Sequence, residues 1–180
     1  NFPSLTFVGV VDSDLGLSGG DLRAAERTYQ LLHQVAGRAG RSGLASQVML
    51  QTFQPEHPVM RALIHGTRDQ FLEAEADSRR ENGMPPYGRL AAVIISGRDQ
   101  KLVDEAAGEL RKKIPMMRGI TVLGPAPAPM AVLRGRHRRR LLVRTKKNSN
   151  LQEFLRRWIL PFRSRGNIRI TVDVDPYSFT

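Results

Sequence analysis

Apolar residues in the first fifty positions form two short runs separated by a helical repeat. Leu5–Val11 is nearly all apolar, which predicts a short strand buried on both faces, as in a parallel sheet. Asp12-Ser-Asp14 closes it at the end where open α/β sheets bind ligands. A Gly/Ser loop follows, and Asp21 is placed to cap a helix. Leu22, Ala25, Tyr29, Leu32 and Ala36 then recur at helical spacing. Gln47–Thr52 reads as a second strand, so that strand, helix and strand make one parallel crossover unit. Pro58 opens a helix carrying Met60, Leu63 and Ile64, and Asp69–Glu81 resumes helical with Phe71, Leu72 and Ala76. The run 82–88, with two prolines and two glycines, ends it and marks a domain boundary.

The last ninety residues have a different rhythm. Leu90–Ser96 is an apolar strand and Lys101–Ile114 an amphipathic helix. Ile120–Leu123 is a strand that the stiff 124–129 connection breaks, with Met130–Leu133 a short extended piece. Arg138–Thr145 is a strand, and Ser149–Pro161 a helix with Leu151, Phe154, Leu155, Trp158 and Ile159 on one stripe. Ile168, Ile170, Val172 and Val174 alternate with polar residues in a final half-wet strand. The order β-α-β-β-α-β is the split arrangement of ferredoxin-like α+β domains.

Composition adds exclusions. The 180 residues hold no cysteine, which removes disulfides and thiolate metal sites. No apolar run is long enough to span a membrane. The chain begins with Asn close to a strand, which suggests a piece of a longer protein. The net charge of +11 is concentrated: residues 134–165 hold twelve Lys and Arg against one acid, Glu153. Residues 1–133 hold fifteen against fourteen. A local basic field favours a polyanion, most simply nucleic acid, and is compatible with an acidic peptide or an anionic surface.

Two stretches carry candidate chemistry. Gln34–Arg41 has the form Q-x-x-G-R-x-x-R, two arginines three apart beside small residues. Planar guanidinium forks match phosphate oxygens, and a pair of them can stabilise the charge that develops as a γ-phosphoryl group leaves. In the basic stretch, Arg134, Arg136, Arg138, Arg139, Arg140, Arg144, Lys146 and Lys147 form a candidate DNA-phosphate surface. Trp158 is assigned to core packing rather than base stacking, and His57, between turn prolines, to turn structure. The four histidines show no metal-ligand spacing. Asp12 and Asp14 suit either work at a lobe interface or loop capping; Asp173 and Asp175 are expected to face solvent or cage Arg169.

Phe2-Pro3, Asp12-Ser-Asp14, 21–27, Gln34–Arg41, Gln51-Thr52, 55–58, Pro85-Pro86 and 173–176 occur in one order that resembles the bacterial primosomal replication-restart DNA helicases, near their C-terminal end. The resemblance implies a partial RecA-like helicase lobe over 1–54, a helical connector over 55–87 and a ribosomal-protein-like, ferredoxin-like domain over 88–180. It implies a parent protein that hydrolyses ATP, unwinds DNA 3′→5′, recognises forks and D-loops, and assembles the primosome in the cytoplasm at the nucleoid. Gln34, Arg38 and Arg41 match the family's sixth helicase motif, with Arg38 and Arg41 facing ATP and Arg41 as the finger. Phe2-Pro3 matches the tail of the fifth. ATP, magnesium and zinc are expected in the parent, with the phosphate loop, the magnesium-binding acids and the zinc cysteines all outside this chain. The expected partners are DNA, primosome proteins and the acidic tail of single-stranded-DNA-binding protein, the tail engaging Gln152, Lys147 and Arg156. Asn148 stands where the family has an arginine. The alternative to an enzyme fragment is a non-enzymatic module whose ferredoxin-like half binds RNA or a ribosomal partner.

Overall fold

The computed structural model describes residues 5–17, 21–39, 45–163 and 166–176. The chain divides into two compact units, Asn1–Ala76 and Asp77–Thr180.

In the first unit, β1 (Phe7–Val10) and β2 (Gln47–Leu50) pair in parallel with Val8 opposite Val48, and α1 (Ala24–Ala36) connects them. The crossover pattern is therefore present. Its strands are short, and burial on both faces is not observed. Val10 and Leu50 pack onto a small core of Tyr29, Leu32, Val59, Met60, Ala62 and Phe71. Phe7, Met49, Val11 and Phe53 face solvent, with Phe53 89% exposed. Among the described residues the sheet has two strands with helices against one face, so nothing there covers the other face, whatever the residues' polarity. The core also takes α2 (Pro58–Ile64) and the start of α3 (Arg68–Glu81). Tyr29 and Phe71 stack with ring centroids 4.6 Å apart. His57 is the N-cap of α2, its Nδ1 accepting from Val59 N at 3.2 Å, as its place among turn residues suggested.

The second unit is an α+β domain. Its sheet contains β3 (Gly88–Gly97), β4 (Ile120–Leu133), β5 (Arg136–Lys146) and β6 (Arg169–Val174), in the spatial order β4-β5-β3-β6 with every ladder antiparallel. Between β3 and β4 comes α4 (Gln100–Lys112), and between β5 and β6 comes α5 (Leu151–Ile159). Each helix thus links two strands that lie either side of a third, as the β-α-β-β-α-β order requires. Both helices are capped from the sequence: Asp99 Oδ1 accepts from Leu102 N at 3.1 Å, and Asn150 Oδ1 from Glu153 N at 3.0 Å. One face of the sheet, with Ala91, Val93, Ile95, Leu141 and Val143, packs against Val103, Ala107 and Leu110 of α4 and Leu151, Phe154 and Trp158 of α5.

The expected break at 124–129 is corrected: β4 runs unbroken through all three prolines, with register shifts between Leu123 and Ala126 and between Pro127 and Val132. Proline is tolerated because β4 is an edge strand with β5 as its one neighbour, and Pro125 and Pro129 fall within the two register shifts. The β4–β5 hairpin closes on two residues, Arg134 at φ 51° and Gly135 at φ 70°, the left-handed pair that matches strand twist.

Candidate functional site

The alternation of β5 sorts the basic stretch. Leu141 and Val143 turn into the core, and Arg139 shares their face, where its Nε meets Asp104 Oδ1 of α4 at 2.6 Å. Arg136, Arg138, Arg140, Leu142 and Arg144 turn the other way, onto the face without α4 and α5. Neighbouring strands add Ile94 and Ser96 from β3 and Arg169 and Thr171 from β6, since Ile94 lies opposite both Arg140 and Thr171, and Ser96 opposite both Arg138 and Arg169. Arg134 joins them from the hairpin tip. Together Arg134, Arg136, Arg138, Arg169, Ser96, Thr171, Ile94 and Leu133 line an open pocket of about 220 Å³.

Within this pocket Arg136 Nη2 donates to the Ser96 carbonyl at 3.0 Å and to the Asn167 carbonyl at 3.2 Å, which fixes its fork. No acidic residue lines the pocket, and none of its four arginines has a carboxylate partner among the described residues. At the far end of the face Arg144 Nη1 donates to the Asn82 carbonyl at 3.0 Å, so the 82–88 turn covers that corner. Lys146 and Lys147 are exposed at the exit of β5. Of the sequence-assigned DNA set, Arg134, Arg136 and Arg138 are brought to one pocket and Arg140 shares their face. Arg139 is turned away and paired. Arg169, on β6 and twenty-nine residues beyond Arg140, was missed because strand neighbours are set by sheet order; only its alternation with Ile168 and Ile170 hinted at an outward side chain.

Trp158 is a core residue, 2% exposed, its Nε1 donating to the Leu110 carbonyl at 2.9 Å. Of the tail-binding set, Gln152 and Arg156 are exposed on α5 and Lys147 stands just ahead of it. Gln152 Oε1 accepts from Arg89 Nη1 at 3.2 Å, and the same guanidinium meets Asp175 Oδ2 at 2.8 Å. Of the two expectations for Asp175, the solvent-facing one matches its exposure, and the basic partner it meets is Arg89 rather than Arg169, because β3 lies directly beside β6 and Asp175 also receives Leu90 N at 3.1 Å. Arg89 is a second residue that sequence reasoning missed.

In the first unit, Gln34 and Arg38 lie exposed at the C-terminal end of α1, where Gly37 N and Arg38 N close the last turn on the His33 and Val35 carbonyls. Cations are favoured at that end of a helix. Arg41 lies outside the described residues. Asp14 resolves to a structural role: it is buried and accepts from Thr52 Oγ1 at 2.6 Å and Phe53 N at 2.7 Å, tying the exit of β1 to the exit of β2. The Thr52 hydroxyl first, then the Phe53 amide, hold its carboxyl below the ordinary carboxylate value; His57 adds slightly and burial opposes. Asp12 is exposed. Among the described residues no three His, Asp or Glu side chains gather as a metal site.

Residues 80–177 match the family described as the primosomal protein N C-terminal domain. The chain belongs to that family. It is similar over 99% of its length to the replication restart protein PriA of Rickettsia conorii, at 39% identity and covering 28% of that protein. The Haemophilus influenzae PriA is 32% identical over 98% of the chain, which covers 24% of it, and the Bacillus subtilis PriA 31% identical over 98%, with 23% of it covered. The chain thus spans about a quarter of the length of the PriA proteins it matches. The family match covers the basic sheet face and α5, whereas Gln34–Arg41 lies ahead of it and is covered by the PriA alignments.

Proposed function

We propose that this chain works in replication restart, as the part of an ATP-dependent 3′→5′ superfamily 2 DNA helicase that lends arginines to the ATP site and grips DNA through its α+β domain. The parent protein would recognise stalled forks and D-loops and direct primosome assembly there. The observation that carries the reading is an acid-free cluster of arginines on one sheet face of a chain that belongs to the primosomal protein N family. Such a face neutralises phosphates and binds without sequence preference.

In the partial RecA-like lobe, Gln34, Arg38 and Arg41 would stand on the phosphate-facing side of the nucleotide site. Exposed, unpaired Arg38 at the end of α1 fits that role among the described residues. ATP held with magnesium would be the substrate there, its γ-phosphoryl group passing to water and ADP leaving. The chain's own arginines spread positive charge over its oxygens as the bond to the leaving group lengthens. In the α+β domain, Gln152, Lys147 and Arg156 would receive the acidic tail of single-stranded-DNA-binding protein, with Arg89 orienting the Gln152 amide.

Two measurements test this. The 180-residue chain should bind DNA with an affinity that falls steeply as salt rises; an affinity unchanged between low and high salt would sink the DNA reading. The same chain should show no ATP turnover, since it holds one side of the site only. Turnover that Arg41→Ala abolishes would overturn that assignment.

A further inference from the structure

Resting on the DNA reading above, we propose that the sheet face without α4 and α5 is a phosphate-tracking surface for duplex DNA. Its anchor is the pocket of Arg134, Arg136, Arg138 and Arg169, which seats backbone phosphate and leaves the bases unread. Three observations lead there. First, the four guanidiniums line one pocket with no carboxylate in its lining, whereas Arg89, Arg139 and Arg157 of the same unit each meet an acid: Asp175, Asp104 and Glu153. The one acid on the strands of this face, Asp173, lies opposite Ala92, outside the pocket lining. Like charges gathered without counter-charge are stabilised by an anion that bridges them.

Second, the rest of the lining suits phosphate. Ser96 and Thr171 offer hydroxyls, and the fork of Arg136 is held by two carbonyls so that little of its freedom remains to be lost on binding. Third, the strands carry no Phe, Tyr or Trp ring for bases to stack on, and their one histidine, His137, alternates onto the face opposite Arg136 and Arg138. Nucleic-acid-binding sheets that read unpaired bases place aromatic rings on their central strands. Here β3, β4, β5 and β6 contain no Phe, Tyr or Trp, and the two central strands present Ala92, Ile94, Arg138, Arg140 and Leu142 instead. A duplex offers twice the phosphate density of a single strand and asks for no stacking platform.

The test uses the 180-residue chain and fluorescence anisotropy against a duplex and a single strand of equal phosphate number, each over a salt series. Arg134→Gln with Arg169→Gln should lower duplex affinity at least ~10-fold at low salt and reduce the salt slope by about 2, roughly one per lost phosphate contact. The charge-matched pair Lys101→Gln with Lys112→Gln, on α4 behind the sheet, should leave the slope unchanged. Arg134→Lys with Arg169→Lys should restore the slope, and Thr171→Glu, an exposed position that keeps the fold, should weaken binding by itself. Duplex should bind at least as tightly as single strand. If no DNA binds even at about 50 mM salt, the DNA reading and this proposal fall together. If DNA binds and the pocket pair matches the control pair, the assignment of the face fails while the DNA reading stands. A preference for single strand of more than ~10-fold would refute phosphate tracking alone.

Discussion

Phe154→Ala measures how much of the arginine-rich sheet face proposed to bind DNA depends on the core behind it. Phe154 is fully buried on α5, its ring centroid 5.6 Å from that of Trp158, within the cluster that backs Leu141 and Val143 of β5. Truncating a buried phenylalanine in a close-packed core costs about 3–5 kcal/mol. Complete burial and an aromatic neighbour place this site toward the upper end. A loss of ~4 kcal/mol multiplies the unfolding equilibrium about 10³-fold and, at an m-value of about 2 kcal/mol/M, moves the urea midpoint down by about 2 M. Trp158 is the only tryptophan in the chain and lies 2% exposed in the same cluster, so its fluorescence reports the unfolding of the second unit alone. Duplex binding, followed in parallel by anisotropy, should be lost over the same urea interval. The comparator Phe154→Leu, which keeps most of the apolar volume, should cost less than half as much. A midpoint shift below ~0.5 M for Phe154→Ala would show that α5 is not packed on the sheet as described. So would DNA binding that outlasts the Trp158 transition.

Other outcomes follow from single contacts. Because the folded Asp14 carboxyl titrates below its ordinary value, the stability it contributes to the first unit is complete above that value. It is lost as pH falls through the lowered one, and Asp14→Asn should flatten this acid limb when the Phe53 amide is followed by hydrogen exchange. Gly88→Ala would bring a Cβ onto the Gly83 carbonyl and within 2.8 Å of the Thr145 carbonyl, both backbone atoms. It should destabilise the second unit by about 3 kcal/mol in the same urea assay, and a neutral result would disprove the close approach. In calorimetric titration with a C-terminal acidic-tail peptide, Gln152→Ala and Arg156→Ala should each weaken binding at least ~5-fold, and Arg89→Ala should do the same through Gln152; no change in any variant would remove the tail from this surface.

How far the sequence led is clearest on β5. Reading Arg138–Thr145 as a strand by itself separates Leu141 and Val143 from Arg140, Leu142 and Arg144, since a strand's side chains change face at every residue. It did not say which arginine would find an acid. Asp104 is thirty-five residues from Arg139 and meets it because α4 crosses the sheet on the core side. The periodicities of α1, α4 and α5 and the order of the strands were equally readable, as they depend on local spacing. The unbroken run of β4 through three prolines was not, because proline's cost depends on whether the strand has a neighbour on that side, a fact of sheet order. For the same reason the apolar run of β1 suggested burial on both faces, although composition cannot say how many strands and layers are present to cover it.

The sequence by itself determined the helices, most of the strands, the basic stretch and the Q-x-x-G-R-x-x-R stretch, because each is written in a short run of consecutive residues. Only the tertiary structure decided that Arg169 joins Arg134, Arg136 and Arg138, that Arg89 steadies Gln152, and that Asp14 ties two strand ends together. Those pairings span 31 to 63 residues. They exist because antiparallel pairing around β3, and the parallel pairing of β1 with β2, bring distant side chains within hydrogen-bond or ion-pair reach.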